Sequence, residues 1–310
     1  MTAVIFPGQG SQIVGMAKDF NDNYEVARSI FTEIEDSCSL NIRDIIFNNT
    51  KNLLNQTNYT QLSIFSASVA IYKTLESEFS KEKLNIKFML GHSLGEYSAL
   101  ACSEIINIST SAKLLKIRGD LMNTALEPNK SGMAALIGLN CSEIQKIIEN
   151  ENLNIEIAND NSPMQIVISG LNEFIDKSEK LFLSKGVKKF VKLNVSSAFH
   201  SKFMFEAQEK LKDKIDEVKF NKSDISIISN FNASINNKPE DIIHSLKNQM
   251  SNKVKWTESI QNLENINENQ IIEIGPGRVL SGLIKRISKS FDIRSIDNIS
   301  DLQSFKLTWK

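Results

Sequence analysis

Residues 91–95 read GHSLG and place one serine between two glycines. This Gly-x-Ser-x-Gly pattern is typical of a nucleophile elbow, a sharp strand-to-helix turn that exposes a reactive hydroxyl. A helix N-terminus beside Ser93 would stabilise the negative charge that develops during acyl attack. A plain helix N-cap would also explain Ser93, but it would not explain Gly91 and Gly95, which leave room for a tight turn. The pattern therefore favours Ser93 as a nucleophile.

A serine hydroxyl needs a base to remove its proton, and the chain has only 3 histidines. His92 adjoins Ser93, but consecutive residues at such a turn point apart. His244 lies in a polar helical stretch and is expected at the surface. His200 lies between a predicted strand and a predicted helix, and we expect it to be the base, although a lone histidine more often has a structural role. The group that orients it need not be acidic, because a carbonyl can fix the imidazole tautomer.

Arg118 belongs to a predicted helix with one apolar face. A surface position is the usual interpretation of such an arginine. A guanidinium can, however, hold a carboxylate through two parallel hydrogen bonds. If Arg118 faced the pocket of Ser93, the substrate would carry a free carboxylate besides its acyl group.

The N-terminal motif FPGQGSQ, residues 6–12, suggests a phosphate-binding loop as an alternative. Its spacing does not fit, because no GxxxxGK[ST] sequence follows and Gly15 comes too late for GxGxxG. A loop after the first strand could still offer a backbone amide to an oxyanion.

Bulk composition restricts the class of protein. The chain has 310 residues, a formal net charge of −1, 41% hydrophobic and 24% charged residues. This near-neutral balance does not favour nucleic acid or membrane as a partner. Three scattered cysteines favour a reducing compartment over a disulfide framework or a zinc site. The N-terminus lacks signal-peptide features and no apolar run approaches membrane-spanning length, so we expect a soluble cytoplasmic protein.

The order of predicted elements indicates an α/β fold. Buried strands are expected at 3–6, 86–90, 225–229 and 271–275. Helices are expected at 24–38, 59–79, 94–102, 109–126, 203–218, 240–250, 257–263 and 276–287, with amphipathic periodicity strongest in 59–79. The strand at 86–90 and the helix at 94–102 flank Ser93 as an elbow requires.

Residues 133–195 differ from the rest of the chain in the order of their predicted elements, which is βαββαβ. That order is typical of a ferredoxin-like unit. The sequence therefore predicts a small subdomain, residues 129–197, inserted into a large catalytic domain made of residues 1–128 and 198–310.

Several motifs together resemble the malonyl-CoA:acyl-carrier-protein transacylase family, which includes the acyltransferase domains of fatty-acid and polyketide synthases. The resemblance spans nearly the whole chain. It rests on FPGQGSQ, GHSLGEYSAL, IRGDLM, GMAALIGL, NSPMQIVISG, AFHS and EIGPGRVLSGL, in that order. It implies an α/β-hydrolase-like large domain with a parallel sheet and an inserted ferredoxin-like subdomain.

The resemblance also implies roles for individual residues. Ser93 would be the acylated nucleophile and His200 its base. Backbone amides of Gln9 and Leu94 would form the oxyanion hole, and Arg118 would bind the free carboxylate of malonate.

Three further positions follow from the resemblance. Gln249 falls where the family places a residue whose carbonyl orients the histidine, and Asn161 matches a position near the substrate. The family's usual proline nearby is Lys253 here, which puts the backbone around Gln249 in question. Bulky Leu94 and Phe199 would crowd a branched acyl chain, so malonyl is expected over methylmalonyl.

The implied reaction has two steps and uses no metal or tightly bound cofactor. Ser93 would take the malonyl group from malonyl-CoA, and the phosphopantetheine thiol of holo acyl carrier protein would then take it from the serine, supplying fatty acid synthesis. The expected form is a monomer in a bacterial cytosol or plastid stroma. Because acyl carrier proteins are typically acidic, a basic rim is expected, formed by one of two sets: Lys188, Lys189 and Lys192, or Lys285, Arg286 and Lys289.

Two other classes of protein stay open. A serine hydrolase, such as a thioesterase or a patatin-like lipase, would share the elbow. The hydrolase order usually puts the histidine last, and a patatin-like Ser–Asp dyad would leave His200 unused. A non-catalytic acyl-binding relative is the third class, which the intact Ser93, His200 and Arg118 disfavour.

Overall fold

Two β-sheets organise the chain in the computed structural model, which describes residues 1–309. The larger sheet has six strands in the order β10-β9-β1-β2-β7-β8, and the smaller has four in the order β4-β5-β3-β6. The strands are β1 (Thr2–Phe6), β2 (Ile86–Gly91), β3 (Ser131–Ile137), β4 (Ile155–Ser162), β5 (Gln165–Leu171), β6 (Lys189–Lys192), β7 (Ser226–Ile228), β8 (Ile235–Asn236), β9 (Gln270–Ile274) and β10 (Asp292–Ile296).

Helices cover both sheets, and among residues 1–309 none is long and apolar enough to cross a membrane. They are α1 (Lys18–Asn23), α2 (Glu25–Cys38), α3 (Thr57–Glu78), α4 (Lys81–Leu84), α5 (Gly95–Cys102), α6 (Ile108–Thr124), α7 (Cys141–Asn150), α8 (Asn172–Ser184), α9 (Phe205–Asp216), α10 (Pro239–Lys247), α11 (Trp256–Asn265), α12 (Val279–Ile287) and α13 (Ile299–Thr308).

The larger sheet is parallel except at its β8 edge, where β8 runs antiparallel to β7. Strand β1 is buried along its whole length, which fits a short apolar run covered by helices on both faces. In the register of β1 and β2, Phe6 pairs with Gly91. The turns that follow these two strands therefore lie side by side at the carboxyl edge of the sheet, where ligands of open α/β sheets bind.

The smaller sheet confirms the βαββαβ order that the sequence predicts for this part of the fold. Its strands are all antiparallel, with β3 between β5 and β6. Along β3 the side chains alternate: Ala134 and Leu136 pack with helices α7 and α8, whereas Met133 and Ala135 join the core of the larger unit. The division into 1–128 with 198–310 and 129–197 stays a prediction.

Helix α3 departs from the sequence prediction. The amphipathic periodicity predicted for 59–79 is wrong, because every residue from 60 to 72 is buried. Serine and alanine, including Ser66 and Ala67, are small enough for α3 to pack against neighbours on all sides. The sequence analysis also missed β10 and α13, which follow the last predicted helix.

A short backbone contact joins the smaller sheet to the loop between α10 and α11. Val254 donates its N–H to Ala158 O at 2.8 Å and accepts from the N–H of Asp160 at 2.9 Å. The hydroxyl of Thr257 adds a hydrogen bond to Asp160 Oδ1 at 2.7 Å. This contact holds β4 against the segment before α11, and a cavity lies where the sheets meet.

Candidate active site

Ser93 occupies a strained turn between β2 and α5. Its φ of 54° lies in the left-handed region, which non-glycine residues rarely adopt. A Cβ on Gly91 would come within 2.0 Å of the Gly95 carbonyl carbon, and one on Gly95 within 2.3 Å of Phe6 O. Only glycine therefore fits at both positions. At Gly95 the reason is the close approach of the turn after β2 to Phe6, the last residue of the neighbouring strand β1.

Asn230, which sequence reasoning missed, bridges the elbow. Its Oδ1 accepts the N–H of Ser93 at 2.6 Å, and its Nδ2 donates to Gly91 O at 2.7 Å. Asn230 lies two residues after the end of β7, the strand that neighbours β2. A polar residue after a buried parallel strand is a signal that could have located it.

His200 is the histidine that the fold brings to Ser93. Its Nε2 lies 2.7 Å from Ser93 Oγ, and its Nδ1 lies 3.1 Å from the Gln249 carbonyl oxygen and 3.2 Å from that of Asn252. Because carbonyls only accept, Nδ1 carries the proton and Nε2 is free to accept the serine proton. Burial, with a further contribution from Arg118, lowers the pKa of His200 to about 3, so the imidazole is neutral.

Arg118 is buried, with 1% of its surface exposed. Its Nη2 donates to Ser93 Oγ and to Gln249 Oε1, both at 3.0 Å, and its Nη1 donates to Gln61 Oε1 at 2.5 Å. The guanidinium also lies 5.6 Å from the centre of the Tyr97 ring. No carboxylate of residues 1–309 forms a salt bridge with it. The site thus holds a buried cation whose partners are neutral, an arrangement suited to an anionic ligand.

Gln9 and Leu94 line the same cavity. Gln9 lies in the turn after β1, and Leu94 is the N-cap of α5. Within residues 1–309, neither backbone N–H donates a hydrogen bond to another protein group. Both are therefore available to an oxyanion beside Ser93, with the positive end of the α5 dipole adding to their effect.

The cavity has a volume of about 330 Å³ and is bounded by both sheets. Met133, Asn161 and Val167 line it from the smaller sheet, and Phe199 lines it beside the histidine. Apolar side chains such as Met133, Val167 and Phe199 therefore share the lining with many polar ones, among them Asn161 and Arg118. Across residues 1–309, no three His, Cys, Asp or Glu side chains come together in a way that could hold a metal ion.

The other two histidines lie where the sequence analysis expects. His92 Nε2 is 2.8 Å from Asn161 Oδ1 and 3.3 Å from Asn159 Nδ2, and its ring packs against Trp256. Its ring nitrogen therefore contacts β4 and not Ser93, and Asn161 reaches the cavity beside it. His244 is exposed on α10.

The lysine at 253 leaves the carbonyl of Gln249 within reach of His200. Lys253 Nζ points to Cys141 Sγ at 3.5 Å, away from the imidazole. The Gln249 side chain is itself part of the site, because its Nε2 donates to Ser93 O at 2.9 Å. Sequence reasoning missed this second use of Gln249 and the contact from Gln61 to Arg118.

The two basic sets differ in their contacts. Lys188, Lys189 and Lys192 are exposed around β6, and Lys192 pairs with Asp176 at 2.5 Å. The second set is exposed at the C-terminal end of α12 and just after it: Lys285, Arg286 and Lys289. Within it, Arg286 donates to Gln165 Oε1 at 2.6 Å.

A family model described as acyl transferase domain matches residues 3–305. The chain therefore belongs to the acyl transferase family. More particularly, it is 34% identical over 291 residues to a malonyl CoA-acyl carrier protein transacylase of Bacillus subtilis (strain 168), covering 93% of this chain and 90% of that protein.

Solved structures agree with this assignment. An acyl-carrier-protein-S-malonyltransferase from Bartonella henselae has a TM-score of 0.94 and 34% identity, with 99% of this chain and 98% of that chain covered. A malonyl-transacylase in complex with its type II polyketide-synthase acyl carrier protein has a TM-score of 0.93 and 32% identity, with 98% of each chain covered. The predicted fold class, with a parallel sheet and a ferredoxin-like unit, is confirmed.

Proposed function

We propose that the chain transfers a malonyl group from malonyl-CoA to the phosphopantetheine thiol of acyl carrier protein, supplying fatty acid synthesis. The observation that carries the proposal is the 3.0 Å contact between Arg118 Nη2 and Ser93 Oγ. An acyl group that bears a free carboxylate suits a nucleophile with a buried cation beside it. The names of the similar proteins support the same substrate and the same carrier.

In the first half-reaction, His200 Nε2 takes the proton of Ser93 as Oγ attacks the thioester carbonyl. The oxyanion lies against the amides of Gln9 and Leu94. When the tetrahedral intermediate collapses, the C–S bond breaks and the CoA thiolate leaves with the proton from His200. The product is a malonyl ester on Ser93.

The second half-reaction runs the same steps with a different thiol. His200 removes the proton of the carrier's phosphopantetheine thiol, and the thiolate attacks the malonyl-serine ester. Collapse of the intermediate returns the proton to Ser93 Oγ and releases malonyl-carrier protein. One base serves both halves because Nε2 is neutral at the start of each.

Arg118 keeps the acyl group in place between the two halves. Its guanidinium binds the malonyl carboxylate with two charge-assisted hydrogen bonds, which orients the ester toward the next thiol. Asn161 and Phe199 border the acyl group, and Leu94 with Phe199 limits branching at its central carbon. Gln249 orients His200 through its carbonyl oxygen.

Carrier-protein binding would use exposed basic residues, because acidic partners are steered by positive surfaces. The set Lys285, Arg286 and Lys289 is favoured, since it is exposed at the C-terminal end of α12 and just after it, with no carboxylate within salt-bridge distance among residues 1–309. The set around β6 is weaker in charge, because Lys192 is paired with Asp176. We place the protein in the cytoplasm as a monomer, with no nucleic-acid or membrane partner.

Intact-mass analysis tests the function. The wild type, incubated briefly with malonyl-CoA, should gain one malonyl group, and Ser93→Ala should gain none. Adding holo acyl carrier protein should remove the adduct and yield malonylated carrier. Rapid release of free malonate without carrier would instead identify a hydrolase, and no adduct in the wild type would contradict both activities.

A further inference from the structure

Glu96 is a fully buried carboxyl on α5, with 0% of its surface exposed. Its Oε2 accepts from the backbone N–H of Asn230 at 3.1 Å and from Nε2 of Gln249 at 2.7 Å. Its Oε1 has no hydrogen-bond partner among residues 1–309. A buried carboxyl with an unpartnered oxygen is costly for the fold. The only hydrogen bonds that the Glu96 side chain makes within residues 1–309 are those of Oε2 with Gln249 and Asn230.

The first group is the side-chain amide of Gln249, which has one defined orientation. Its Nε2 donates to Glu96 Oε2 and to Ser93 O, and its Oε1 accepts from Arg118 Nη2. A flipped amide would turn Nε2 toward the guanidinium, donor against donor, and Oε1 toward two acceptors. Glu96 therefore helps to keep an acceptor facing Arg118.

The second group is Asn230. Glu96 holds its backbone N–H, and the side chain of Asn230 holds the N–H of Ser93 and the carbonyl of Gly91. One carboxyl oxygen thus connects the residue that bridges the nucleophile's turn with the residue that contacts the guanidinium.

We propose that Glu96 is a positioning residue that sets the malonyl selectivity of this site, by orienting the Gln249 amide and, through it, the Arg118 guanidinium toward the acyl group on Ser93. The inference rests on the proposed function. It concerns geometry and requires an oxygen acceptor at the Oε2 position, whichever protonation state the carboxyl has.

The electrostatic surroundings agree with this requirement. Burial raises the pKa of Glu96 to about 7, opposed by the hydrogen bonds from Gln249 and Asn230 and by the charge of Arg118. A proton on Oε1 would leave Oε2 as an acceptor, so both forms hold the two donors. Glu96→Gln can present its amide oxygen in the same place, whereas Glu96→Ala removes the acceptor.

The test compares kcat/KM for malonyl-CoA and acetyl-CoA, because acetyl carries no carboxylate for Arg118. Glu96→Ala should lower the malonyl-to-acetyl ratio at least tenfold, mostly through loss of malonyl transfer. Glu96→Gln should keep the ratio within about threefold of the wild type. Glu273→Ala is the matched control, because Glu273 is also 0% exposed and instead holds the N–H groups of Leu280 and Ser281.

If Glu96 had only a structural role, its loss would lower kcat/KM equally for malonyl-CoA and acetyl-CoA, because the folded fraction would fall. Equal losses for Glu96→Ala, an equal change of ratio in Glu273→Ala, or a Glu96→Gln variant as impaired as Glu96→Ala would each overturn the inference. If Glu96→Ala does not fold, Glu96→Asp withdraws the oxygen by one methylene and must also lower the ratio. A wild type that forms no malonyl-serine would refute the proposed function itself, whereas an unmoved ratio in a malonylating enzyme refutes only the role of Glu96.

Discussion

Arg118 Nη2 and Ser93 Oγ lie 3.0 Å apart, and the same hydroxyl lies 2.7 Å from His200 Nε2. Ser93 therefore accepts a hydrogen bond from a cation while it donates one to the base, a pattern that favours loss of its proton. A malonyl group separates its carboxylate from its thioester carbonyl by a single methylene. One short acyl group could thus reach the guanidinium and the nucleophile together.

Arg118→Ala should act on the substrate's charge. We expect kcat/KM for malonyl-CoA to fall by about 100-fold or more, because two charge-assisted hydrogen bonds are lost. For acetyl-CoA, which lacks the carboxylate, kcat/KM should fall by less than about tenfold. Steady-state assays with both donors measure the difference, with Arg118→Lys as a control that keeps the charge but not the paired donors. Equal losses for both donors would sink the carboxylate-binding role.

Acidic pH should leave the base active. The pKa of His200 is lowered to about 3, chiefly by burial and then by Arg118, with His92 adding a smaller effect. Under the proposed mechanism activity needs neutral His200, so we expect it to be lost only as pH falls through that pKa, with acetyl transfer flat between about pH 5 and 6.5. Removing Arg118 raises the pKa, so the acid limb of Arg118→Ala should move to higher pH.

Initial rates of acetyl transfer across this range would check the profile. A Glu96→Gln background removes the carboxyl that titrates near pH 7, so that the remaining acid limb reports on the histidine. An acid limb near pH 6.5 in the wild type, the ordinary value for histidine, would contradict the buried neutral state.

The left-handed backbone of Ser93 should appear in stability measurements. Ser93→Gly and Ser93→Ala both lose the hydroxyl and its hydrogen bonds to His200 and Arg118. Only glycine adopts a φ of 54° without strain, so the glycine variant should be more stable by about 1 kcal/mol. Urea unfolding of the two inactive variants gives the comparison, and an alanine variant of equal or greater stability would argue against strain at this turn.

Gly91 should tolerate no side chain. Because its added Cβ would lie 2.0 Å from backbone carbon of Gly95, we expect Gly91→Ala to lose more than about 3 kcal/mol of unfolding free energy or not to fold. Gly282 on α12 is the control, since nothing lies within 4 Å of its Cβ position. Gly282→Ala should gain up to about 1 kcal/mol from helix propensity. Similar stabilities for the two variants, measured by thermal or urea unfolding, would show that the elbow can relax.

Sequence reasoning located the elbow because its signals are local. Gly91, Ser93 and Gly95 lie within five residues, and a strand and a helix flank them as predicted. Elimination among the three histidines of the sequence selects His200 as the candidate base. His200 and Ser93 are 107 residues apart in the sequence, so only the tertiary fold brings them into contact.

Other features of the site could not be predicted from the sequence, because they too depend on contacts that only the tertiary fold creates. Asn230, Gln61 and the side chain of Gln249 act through contacts between distant segments, and no pattern around them marks their partners. Glu96 is an acidic residue in the first turn of α5, which is common in helices, and only the structure shows that the whole helix is buried. The role of Glu96 depends on which donors the fold brings to it. The burial of α3 on all sides likewise depends on its neighbours and not on its own periodicity.

The cavity lies between the two sheets, and each sheet contributes different residues to it. Ser93 and Arg118 belong to elements around the larger sheet, whereas Met133 and Val167 border the cavity from β3 and β5 of the smaller one. Substitutions along β3 and β5 can therefore reshape the space for the acyl chain without entering the hydrogen-bond network of the nucleophile. The smaller sheet thus offers positions at which the volume of the cavity can change while the contacts of Ser93 with Arg118 stay as they are.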